Sequence, residues 1–424
     1  MEFGSIQWHF LICGSGIHIL KFHRPIVEQI VLAVEEIFTQ SRHADKVIEK
    51  FMKVQKKWGA RDRRFFAESV YEIVRWWRYL GALAGFDPTQ KSTVDKTDVL
   101  RLWTAWCFNT YNQIPDWPEF RDFDKEKFHK NKGSITSGAI TQSVPDWLYE
   151  YGQKQFGTEW DEILESLNKP ADVFLRANTL RCSRDQLIDY LKAENIEALA
   201  VSGLPDAVRL VERSNVFLTD AFKKGLFEVQ DGASQMVAPL LRVEPTQRVV
   251  DACAGAGGKS LHLAALMKNK GKIISMDIHD WKLEDLKARA RRNGVDIIET
   301  RVIDSTKTIK RLEATADRLL LDVPCSGLGV LRRNPDKKWK ITLEEIERLQ
   351  VLQLDLLKTY CKVVKPGGMM VYATCSVLPG ENHHQIDKFL STHGTDWKLV
   401  EQIHVFPHRQ GFDGFYGALL ERKH

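Results

Sequence analysis

The chain has 424 residues, a formal net charge of +5, 43% hydrophobic residues and 28% charged residues. This composition excludes a disordered or fibrous protein and is typical of a soluble globular one, and the length predicts two or three domains. The net charge is modest, so it does not by itself indicate nucleic acid as a partner. Seven scattered cysteines without a C-x-x-C pair argue against a disulfide framework and against a metal site, and they favour a reducing cytoplasm.

Residues 1–20 are mostly uncharged, but polar residues and glycines interrupt them, so they make a poor membrane span. They also lack the basic start of a secretory signal. The stretch Glu2-Phe-Gly-Ser resembles a cloning remnant, and we treat 1–20 as a leader outside the fold. No other segment is apolar over the roughly 18 residues that a membrane helix needs, so we expect no membrane association.

Apolar residues recur at helical spacing from Pro25 to Trp77 and from Val99 to Phe108, which predicts an all-helical domain over 21–130. The polar residues 115–143 predict a linker. Basic residues outnumber acidic ones from 53 to 78, and aromatic residues lie between them. The basic residues are Lys53, Lys56, Lys57, Arg61, Arg63, Arg64, Arg75 and Arg78. Two interpretations stay open with equal weight, a solvated helix face and a patch that follows RNA phosphates.

A small α+β subdomain is predicted over 143–235. Its predicted elements are a helix over Pro145–Leu167, a strand over Val173–Ala177, a helix over Ser183–Glu194, and strands over Ala207–Leu210 and Leu226–Val229. Arg176 and Asn178 lie at the end of the first of these strands. They are predicted either to touch RNA or to make surface hydrogen bonds, and the pattern does not decide between the two.

Strands and helices alternate over 236–424, which predicts a doubly wound, mostly parallel α/β domain. The predicted strands are Arg248–Asp251, Lys272–Asp277, Ile297–Ile303, Leu319–Val323, Met369–Ala373, Lys398–Val405 and Phe412–Leu420. The most regular helical pattern runs from Thr342 to Val364. Ligands bind at the carboxyl ends of the strands in such sheets, so the residues after each strand are the candidates for a functional site.

The glycine turn, defined as Asp251-Ala-Cys-Ala-Gly-Ala-Gly-Gly-Lys-Ser260, follows the first predicted strand. It lacks the first glycine of an ATP-binding P-loop and the third glycine of an NAD-binding turn, so both cofactors are disfavoured. Asp277 ends the second strand, where a carboxylate accepts hydrogen bonds from ribose hydroxyls or merely caps a turn. Asp304 ends the third strand and is placed to meet an adenine edge. A nucleoside cofactor without a pyrophosphate fits, and S-adenosylmethionine is the prediction.

Two cysteines, Cys325 and Cys375, come just after the fourth and fifth predicted strands. Since these strand ends share one edge of the sheet, we expect the two thiols to lie close together. A thiolate is nucleophilic near neutral pH and is a competent leaving group, so the pair predicts a thiol-based enzyme. The alternative for any cysteine is a small buried apolar side chain.

Several motifs together resemble the RsmB and Sun family of RNA (cytosine-5)-methyltransferases. They are the glycine turn, Asp322-Val-Pro-Cys-Ser-Gly-Leu-Gly329, Arg332-Arg-Asn-Pro-Asp336, Lys365-Pro-Gly-Gly368, Ala373-Thr-Cys-Ser376 and Phe412–Leu419. The predicted helical domain over 21–130 also resembles the NusB-like RNA-binding domain of those family members that act on ribosomal RNA. It implies a Rossmann-like, class I S-adenosylmethionine-dependent methyltransferase domain at 236–424. One departure is Ala256, where the family usually carries proline.

The resemblance implies that Cys375 adds to carbon 6 of cytosine, that Cys325 assists product release, and that Asp322 holds the base. Lys259 is expected to orient the cofactor carboxylate or a catalytic side chain, and the alternative is a surface residue at the start of a helix. The full predicted cofactor set is Cys253, Ala254, Gly255, Ala256, Gly257, Gly258, Lys259, Asp277, Lys282, Asp304 and Asp322. Arg332 and Arg333 are expected to grip RNA phosphates, with Lys337 and Lys338, or to be solvated.

The predicted activity is the formation of 5-methylcytosine in an unpaired or flipped cytosine of 16S ribosomal RNA, by a cytoplasmic monomer. Transfer RNA is the alternative substrate. A non-catalytic RNA-binding assembly factor and an NAD-dependent oxidoreductase are alternatives from other classes. The intact cysteines count against the first, and the glycine spacing counts against the second.

Overall fold

The structure is a computed structural model of the chain, and it describes residues 22–91 and 93–424. The predicted leader, residues 1–20, lies outside the described residues. The described residues belong to two compact units: the first contains 22–42, 46–73, 80–91 and 93–134, and the second contains 43–45, 74–79 and 135–424. The four-part division predicted above stays a prediction.

Helices dominate the amino-terminal part of the described chain. They are α1 (Arg24–Thr39), α2 (Ala44–Val54), α3 (Ala60–Arg75), α4 (Trp77–Leu83), α5 (Lys96–Tyr111) and α6 (Lys125–Gly133). The first unit has an aromatic core, in which the buried Trp103 ring stacks on Trp117 and Phe120. The predicted helices are confirmed.

The predicted linker over 115–143 is wrong, because this segment contains α6. The Asp124 side chain caps the helix by accepting a hydrogen bond from the backbone N–H of Lys127 at 2.9 Å. Phe128 is 3% exposed and packs edge-on against Phe108. One aromatic residue in a lysine-rich stretch anchors the helix, which a polar composition does not reveal.

The second unit contains a small sheet and a large sheet. The small sheet is antiparallel, in the order β2-β3-β1-β4. The elements up to its last strand are α7 (Gly138–Thr141), α8 (Asp146–Phe156), α9 (Glu159–Leu167), β1 (Phe174–Ala177), α10 (Arg184–Ala193), β2 (Ala198–Ala200), β3 (Ala207–Leu210), α11 (Asp220–Lys223) and β4 (Phe227–Val229). The predicted helix over 145–167 is two helices, because Gly157 adopts a φ of 58° between them. The short strand β2 was not predicted.

The large sheet has the order β10-β11-β9-β8-β5-β6-β7. The elements from 232 onward are α12 (Gly232–Leu240), β5 (Arg248–Asp251), α13 (Gly258–Leu266), β6 (Lys272–Asp277), α14 (Asp280–Asn293), β7 (Ile298–Val302), α15 (Thr306–Lys310), β8 (Ala316–Asp322), α16 (Lys337–Lys340), α17 (Leu343–Tyr360), β9 (Val364–Thr374), α18 (His383–His393), β10 (Trp397–Val405), α19 (Pro407–Gln410) and β11 (Phe415–Arg422). Short 3-10 turns occur at Pro88–Gln90, Pro118–Phe120, Val216–Leu218, Leu328–Val330, Cys361–Val363 and Pro379–Glu381.

Strands β5 to β9 run parallel, and β11 pairs antiparallel with both β9 and β10. Apolar residues on the two faces of the sheet belong to two separate buried clusters, as expected for a sheet covered by helices on both sides. The predicted doubly wound sheet is confirmed. No helix in the described part of the chain is long and apolar enough to cross a lipid bilayer.

Candidate active site

Cys325 and Cys375 lie at the carboxyl ends of two adjacent parallel strands. Asp322, the last residue of β8, is paired in register with Ala373 of β9, and each strand is followed closely by its cysteine. The two Sγ atoms are 3.4 Å apart, and both side chains are half-buried. The predicted proximity of the two thiols is confirmed. We call these two residues the thiol pair.

The two thiols differ in acidity. The hydrogen bond from Cys325 lowers the pKa of Cys375, and the nearby ammonium groups of Lys337 and Lys259 lower it further, against burial and the Asp322 charge. The same hydrogen bond, together with burial, raises the pKa of Cys325 well above its usual range. The first proton lost from the thiol pair therefore comes from Cys375, and Cys325 remains a donor to its thiolate.

Asp322 and Lys259 form an ion pair beside the thiol pair. The Lys259 Nζ donates to Asp322 Oδ2 at 2.6 Å and lies 5.0 Å from the centre of the Phe415 ring. Burial alone would lower the pKa of Lys259, but the Asp322 carboxylate outweighs it, and the net effect raises this pKa. Lys259 thus contacts Asp322, a residue predicted to be catalytic, and the role of Lys259 itself stays a prediction.

The glycine turn connects β5 to α13. Gly257 has a φ of 82°, and a Cβ at this position would lie 2.4 Å from Cγ of Leu286, so the turn requires glycine here. A Cβ at Gly255 would meet no atom within 4 Å, so the backbone faces open space. Cys253 is half-buried, and burial raises its pKa. A turn of this kind lets a ligand approach the backbone closely.

Arginines hold the carbonyl groups of the glycine turn from outside. Arg289 Nη1 donates to the Ala256 carbonyl at 2.7 Å, and Arg176 Nη1 donates to the Gly258 carbonyl at 2.9 Å. Arg289 also donates to Glu228 Oε2 at 2.7 Å. Arg176 lies on β1 and Glu228 on β4, so the small sheet supports the turn.

Asp277, at the end of β6, is tied to the same turn. Its Oδ2 accepts from the Gly255 backbone N–H at 3.0 Å, and its Oδ1 accepts from the His279 backbone N–H at 2.8 Å. Lys282 Nζ lies 3.7 Å from Oδ1. Asp304 is exposed, and the hydroxyls of Thr308 and Ser305 lower its pKa. The structure thus brings Asp277 and Lys282 together with the turn, whereas the contacts of Asp304 are with its own loop.

Three of the four predicted RNA-contacting residues need correction. Arg176 is 3% exposed, and burial lowers its pKa to about 10. Asn178 is 6% exposed and donates to the Gly225 and Asn293 carbonyls. Neither side chain has surface left for an RNA contact, so both hold the small sheet to the large one.

Arg332 and Arg333 are also engaged within the chain. Arg332 is 8% exposed and donates to the carbonyls of Ser166 and Gly411. Arg333 bridges Asp231 at 2.8 Å and Asp413 at 2.6 Å. A phosphate grip and solvation both fail to fit the buried Arg332, whereas the Arg333 side chain is 32% exposed and its contact with RNA stays a prediction.

Three arginines of the basic patch over 53–78 also have partners within the chain. Arg75 and Arg78 are buried, and Arg78 makes a bidentate pair with Asp146 at 2.7 Å. Arg63 donates to the carbonyl of Met52, in the last turn of α2, and to those of Gln55 and Trp58, in the loop before α3. Neither of the two interpretations of the patch describes these three arginines, which are structural.

Two carboxylates at the site were given no role from the sequence. The Ser260 hydroxyl donates to Asp251 at 2.6 Å, and burial raises the pKa of Asp251 to about 7. Glu381 is fully buried and accepts hydrogen bonds from the residues that follow both cysteines. The only sequence signal for Glu381 was its position six residues after Cys375, in the turn that follows β9.

The large-sheet strand order, the glycine turn and the carboxyl-end thiols define a Rossmann-like methyltransferase. Residues 238–421 match the family described as 16S rRNA methyltransferase RsmB/F, and 144–217 match the ferredoxin-like domain of RsmF/B-like methyltransferases. The chain belongs to this RsmB/Sun family.

The relatives agree with this assignment. The chain is 32% identical over 409 residues to the probable ribosomal RNA small subunit methyltransferase B of Synechocystis, covering 85% of this chain and 91% of that protein. It is 35% identical over 303 residues to the protein of the same name in Bacillus subtilis, covering 67% and 68%. The crystal structure of the protein PH0851 is similar with a TM-score of 0.76 and 25% identity, covering 95% of this chain and 100% of that one.

Proposed function

We propose that this protein uses S-adenosylmethionine to form 5-methylcytosine in small-subunit ribosomal RNA, through a covalent bond between Cys375 and carbon 6 of the base. The observation that carries the proposal is the thiol pair, with Sγ atoms 3.4 Å apart, beside the Lys259–Asp322 ion pair. The relatives named as small-subunit methyltransferases support ribosomal RNA as the substrate.

Carbon 5 of cytosine is a poor nucleophile until carbon 6 carries an added group. The Cys375 thiolate forms a bond to carbon 6, and the electron pair of the 5,6 double bond then becomes available at carbon 5. After carbon 5 has gained the methyl group it loses its proton to a base, the double bond re-forms and the bond to Cys375 breaks. The sulfur leaves as a thiolate, which Cys325 stabilises by donating the hydrogen bond already present between the two thiols.

Asp322 is proposed to bind N3 and the amino group of the target base. Protonation of the ring as the thiolate adds would relieve the charge that develops there. Lys259 holds the Asp322 carboxylate in place by the 2.6 Å contact. The target cytosine has to be unstacked, because the thiolate approaches carbon 6 from the face of the ring.

The glycine turn fits S-adenosylmethionine because its backbone is open at Gly255 and a carboxylate, Asp277, lies at the end of the next strand. When bound, this cofactor supplies a methyl group made electrophilic by its sulfonium. We propose that its ribose is held by Asp277 and its adenine edge by Asp304, with Lys282 nearby. The remaining proposed contacts come from Cys253, Ala254, Gly255, Ala256, Gly257, Gly258, Lys259 and Asp322.

The test is a covalent trap. The Cys325→Ala variant, incubated with S-adenosylmethionine and small-subunit ribosomal RNA, should give a protein–RNA adduct that persists on a denaturing gel. The adduct should disappear in the Cys325→Ala, Cys375→Ala double variant, and Cys375→Ala alone should lose methyl transfer by at least about a thousandfold. A transfer RNA pool is the parallel arm, and an adduct with that RNA alone would replace ribosomal RNA as the substrate.

Wild-type methyl transfer by Cys375→Ala would contradict the proposal at once. Absence of an adduct with both RNAs, in a variant that binds S-adenosylmethionine normally, would also contradict it and would favour a non-catalytic role. A cytoplasmic monomer is part of the same proposal, and gel filtration of the purified chain with and without RNA measures the oligomeric state.

A further inference from the structure

Glu381 is a buried carboxylate close to the thiol pair. It ends the 3-10 turn Pro379–Glu381, which follows the Cys375 loop, and it has no exposed surface. A carboxylate taken out of water costs several kcal/mol unless donors surround it. The hydrogen-bond donors around Glu381 therefore show which parts of the chain this carboxylate holds together.

The two carboxylate oxygens of Glu381 connect the loop that contains Cys325 to the loop that contains Cys375. We call these two segments the cysteine loops. The Oε1 atom accepts from the Ser326 backbone N–H at 2.7 Å and from Gln353 Nε2 at 3.0 Å. The Oε2 atom accepts from the Ser326 hydroxyl at 2.5 Å and from the Ser376 hydroxyl. These serines directly follow Cys325 and Cys375 in the sequence. One carboxylate thus holds the residue next to each reactive thiol.

Further bonds make this connection stiff. The Ser326 and Ser376 hydroxyl oxygens lie 3.2 Å apart, and they accept from the backbone N–H groups of Leu328 and Leu378 respectively. Gln353, on α17, also donates to the carbonyl of Pro324, the residue before Cys325. The main chain on both sides of Cys325 is fixed relative to Glu381, and so is the main chain after Cys375.

We propose that Glu381 is a positioning residue that holds Cys325 and Cys375 at the spacing the two-thiol reaction requires. This inference rests on the proposed function for the meaning of that spacing. A change of about 1 Å in the position of reacting groups is enough to reduce rates by roughly a hundredfold. Glu381 does not touch the substrate in this role.

The charge of Glu381 acts on the thiol pair as well. The pKa of Cys325 is raised first by its hydrogen bond with Cys375 and by burial, and the Glu381 carboxylate adds to that rise. Glu381 therefore helps to keep the proton on Cys325, which leaves the thiolate on Cys375. Position and charge favour the same division of roles.

The first test measures thiol spacing directly. Dibromobimane becomes fluorescent when it bridges two neighbouring thiols, and mass spectrometry identifies the joined peptides. The wild-type full-length chain should form the Cys325–Cys375 bridge, and Cys325→Ala should not. Glu381→Gln should form it about tenfold more slowly, because an amide has a single acceptor oxygen and its NH2 group would face donors that the carboxylate now accepts from. Glu347→Gln changes an exposed glutamate on α17, so it is the matched control and should behave as wild type.

The second test is the pH dependence of alkylation at each cysteine, followed by peptide mass spectrometry. In the wild type, Cys375 should react at lower pH than Cys325. Removing the negative charge lowers the pKa of Cys325, and loosening the pair weakens the hydrogen bond to Cys375, so in Glu381→Gln the two profiles should move toward each other. A residue that only stabilised the fold would leave the separation unchanged.

Wild-type bridging and an unchanged separation of the profiles in Glu381→Gln would overturn the inference. If that variant does not fold, the Ser326→Ala, Ser376→Ala double variant carries the same test, since it removes the two hydroxyls that the carboxylate joins. Slower bridging in it supports the inference, and wild-type bridging overturns it. Neither measurement uses RNA or cofactor, so failure of the proposed function would show only in the adduct experiment.

Discussion

The thiol pair and the glycine turn lie on the same edge of the large sheet, but they are held in different ways. The thiol pair is fixed from within, by Glu381 and the serines that follow each cysteine. The glycine turn is fixed from outside, by Arg176 of the small sheet and by Arg289, which pairs with Glu228 of the small sheet. The position of the thiol pair therefore depends on the large-sheet region, whereas the position of the glycine turn depends on both sheets.

The largest effect on the glycine turn is expected from the loss of Glu228. Glu228→Ala leaves the guanidinium groups of Arg289 and Arg292 without their carboxylate, so we expect the free energy of unfolding to fall by about 3 kcal/mol. Affinity for S-adenosylmethionine should fall by about tenfold because the Ala256 carbonyl loses its fixed donor. Urea denaturation and calorimetric titration measure the two effects.

Glu299→Ala is the control for that change. Glu299 pairs with Lys272 and Arg301 on the exposed side of β7, so its loss should cost less than about 1 kcal/mol. It should leave cofactor affinity unchanged. If Glu228→Ala binds the cofactor as the wild type does, the small sheet does not support the turn.

A smaller effect is expected within the thiol pair. Cys325→Ala removes the S–H that stabilises the Cys375 thiolate, so the pKa of Cys375 should rise. The thiolate fraction at a given pH then falls, and the alkylation profile of Cys375 should move to higher pH. Cys361→Ala is the matched control. Cys361 belongs to the buried cluster on one face of the large sheet, whereas Cys375 packs against the cluster on the other face, so its loss should not affect Cys375. An unmoved profile in Cys325→Ala would mean that the two thiols are not coupled.

The smallest effect is expected at Ala256, the position at which the resemblance in sequence led us to expect proline. No hydrogen bond from the Ala256 N–H occurs within 22–91 and 93–424, and the carbonyl that Arg289 holds is retained in Ala256→Pro. Affinity for S-adenosylmethionine should therefore change by less than about threefold.

Gly257→Ala is the contrasting neighbour of Ala256→Pro. A Cβ there would clash with Leu286 in a backbone conformation with a φ of 82°, so it should reduce the same affinity by about tenfold or more. Equal effects of the two substitutions in the titration would show that the turn tolerates change uniformly, contrary to its geometry.

The sequence predicted the large sheet well because buried parallel strands are short apolar runs followed by functional residues. The predicted strands Arg248–Asp251 and Lys272–Asp277 have the observed bounds of β5 and β6. The thiol pair was predicted for the same reason, since adjacent parallel strands deliver their last residues to one edge. Local pattern and tertiary position coincide in these cases.

The basic residues were predicted poorly. Arg176, Arg332 and Arg78 are cationic residues that usually lie on the surface, yet each is buried with carbonyl or carboxylate partners. A guanidinium has five donors, and a buried arginine can satisfy them with partners from distant segments. Such partners leave no local pattern in the sequence.

By itself the sequence determined the class of fold, the two cysteines and the glycine turn, because strand periodicity, strand order along the chain and turn chemistry are local properties. Only the tertiary structure decided that the Cys325 and Cys375 Sγ atoms lie 3.4 Å apart, that Lys259 meets Asp322, and that Glu381 joins the loops that contain the two cysteines. Apart from the local contact between Ser376 and Glu381, these contacts connect residues 50 to 63 positions apart, and their distances follow from how the strands and helices pack.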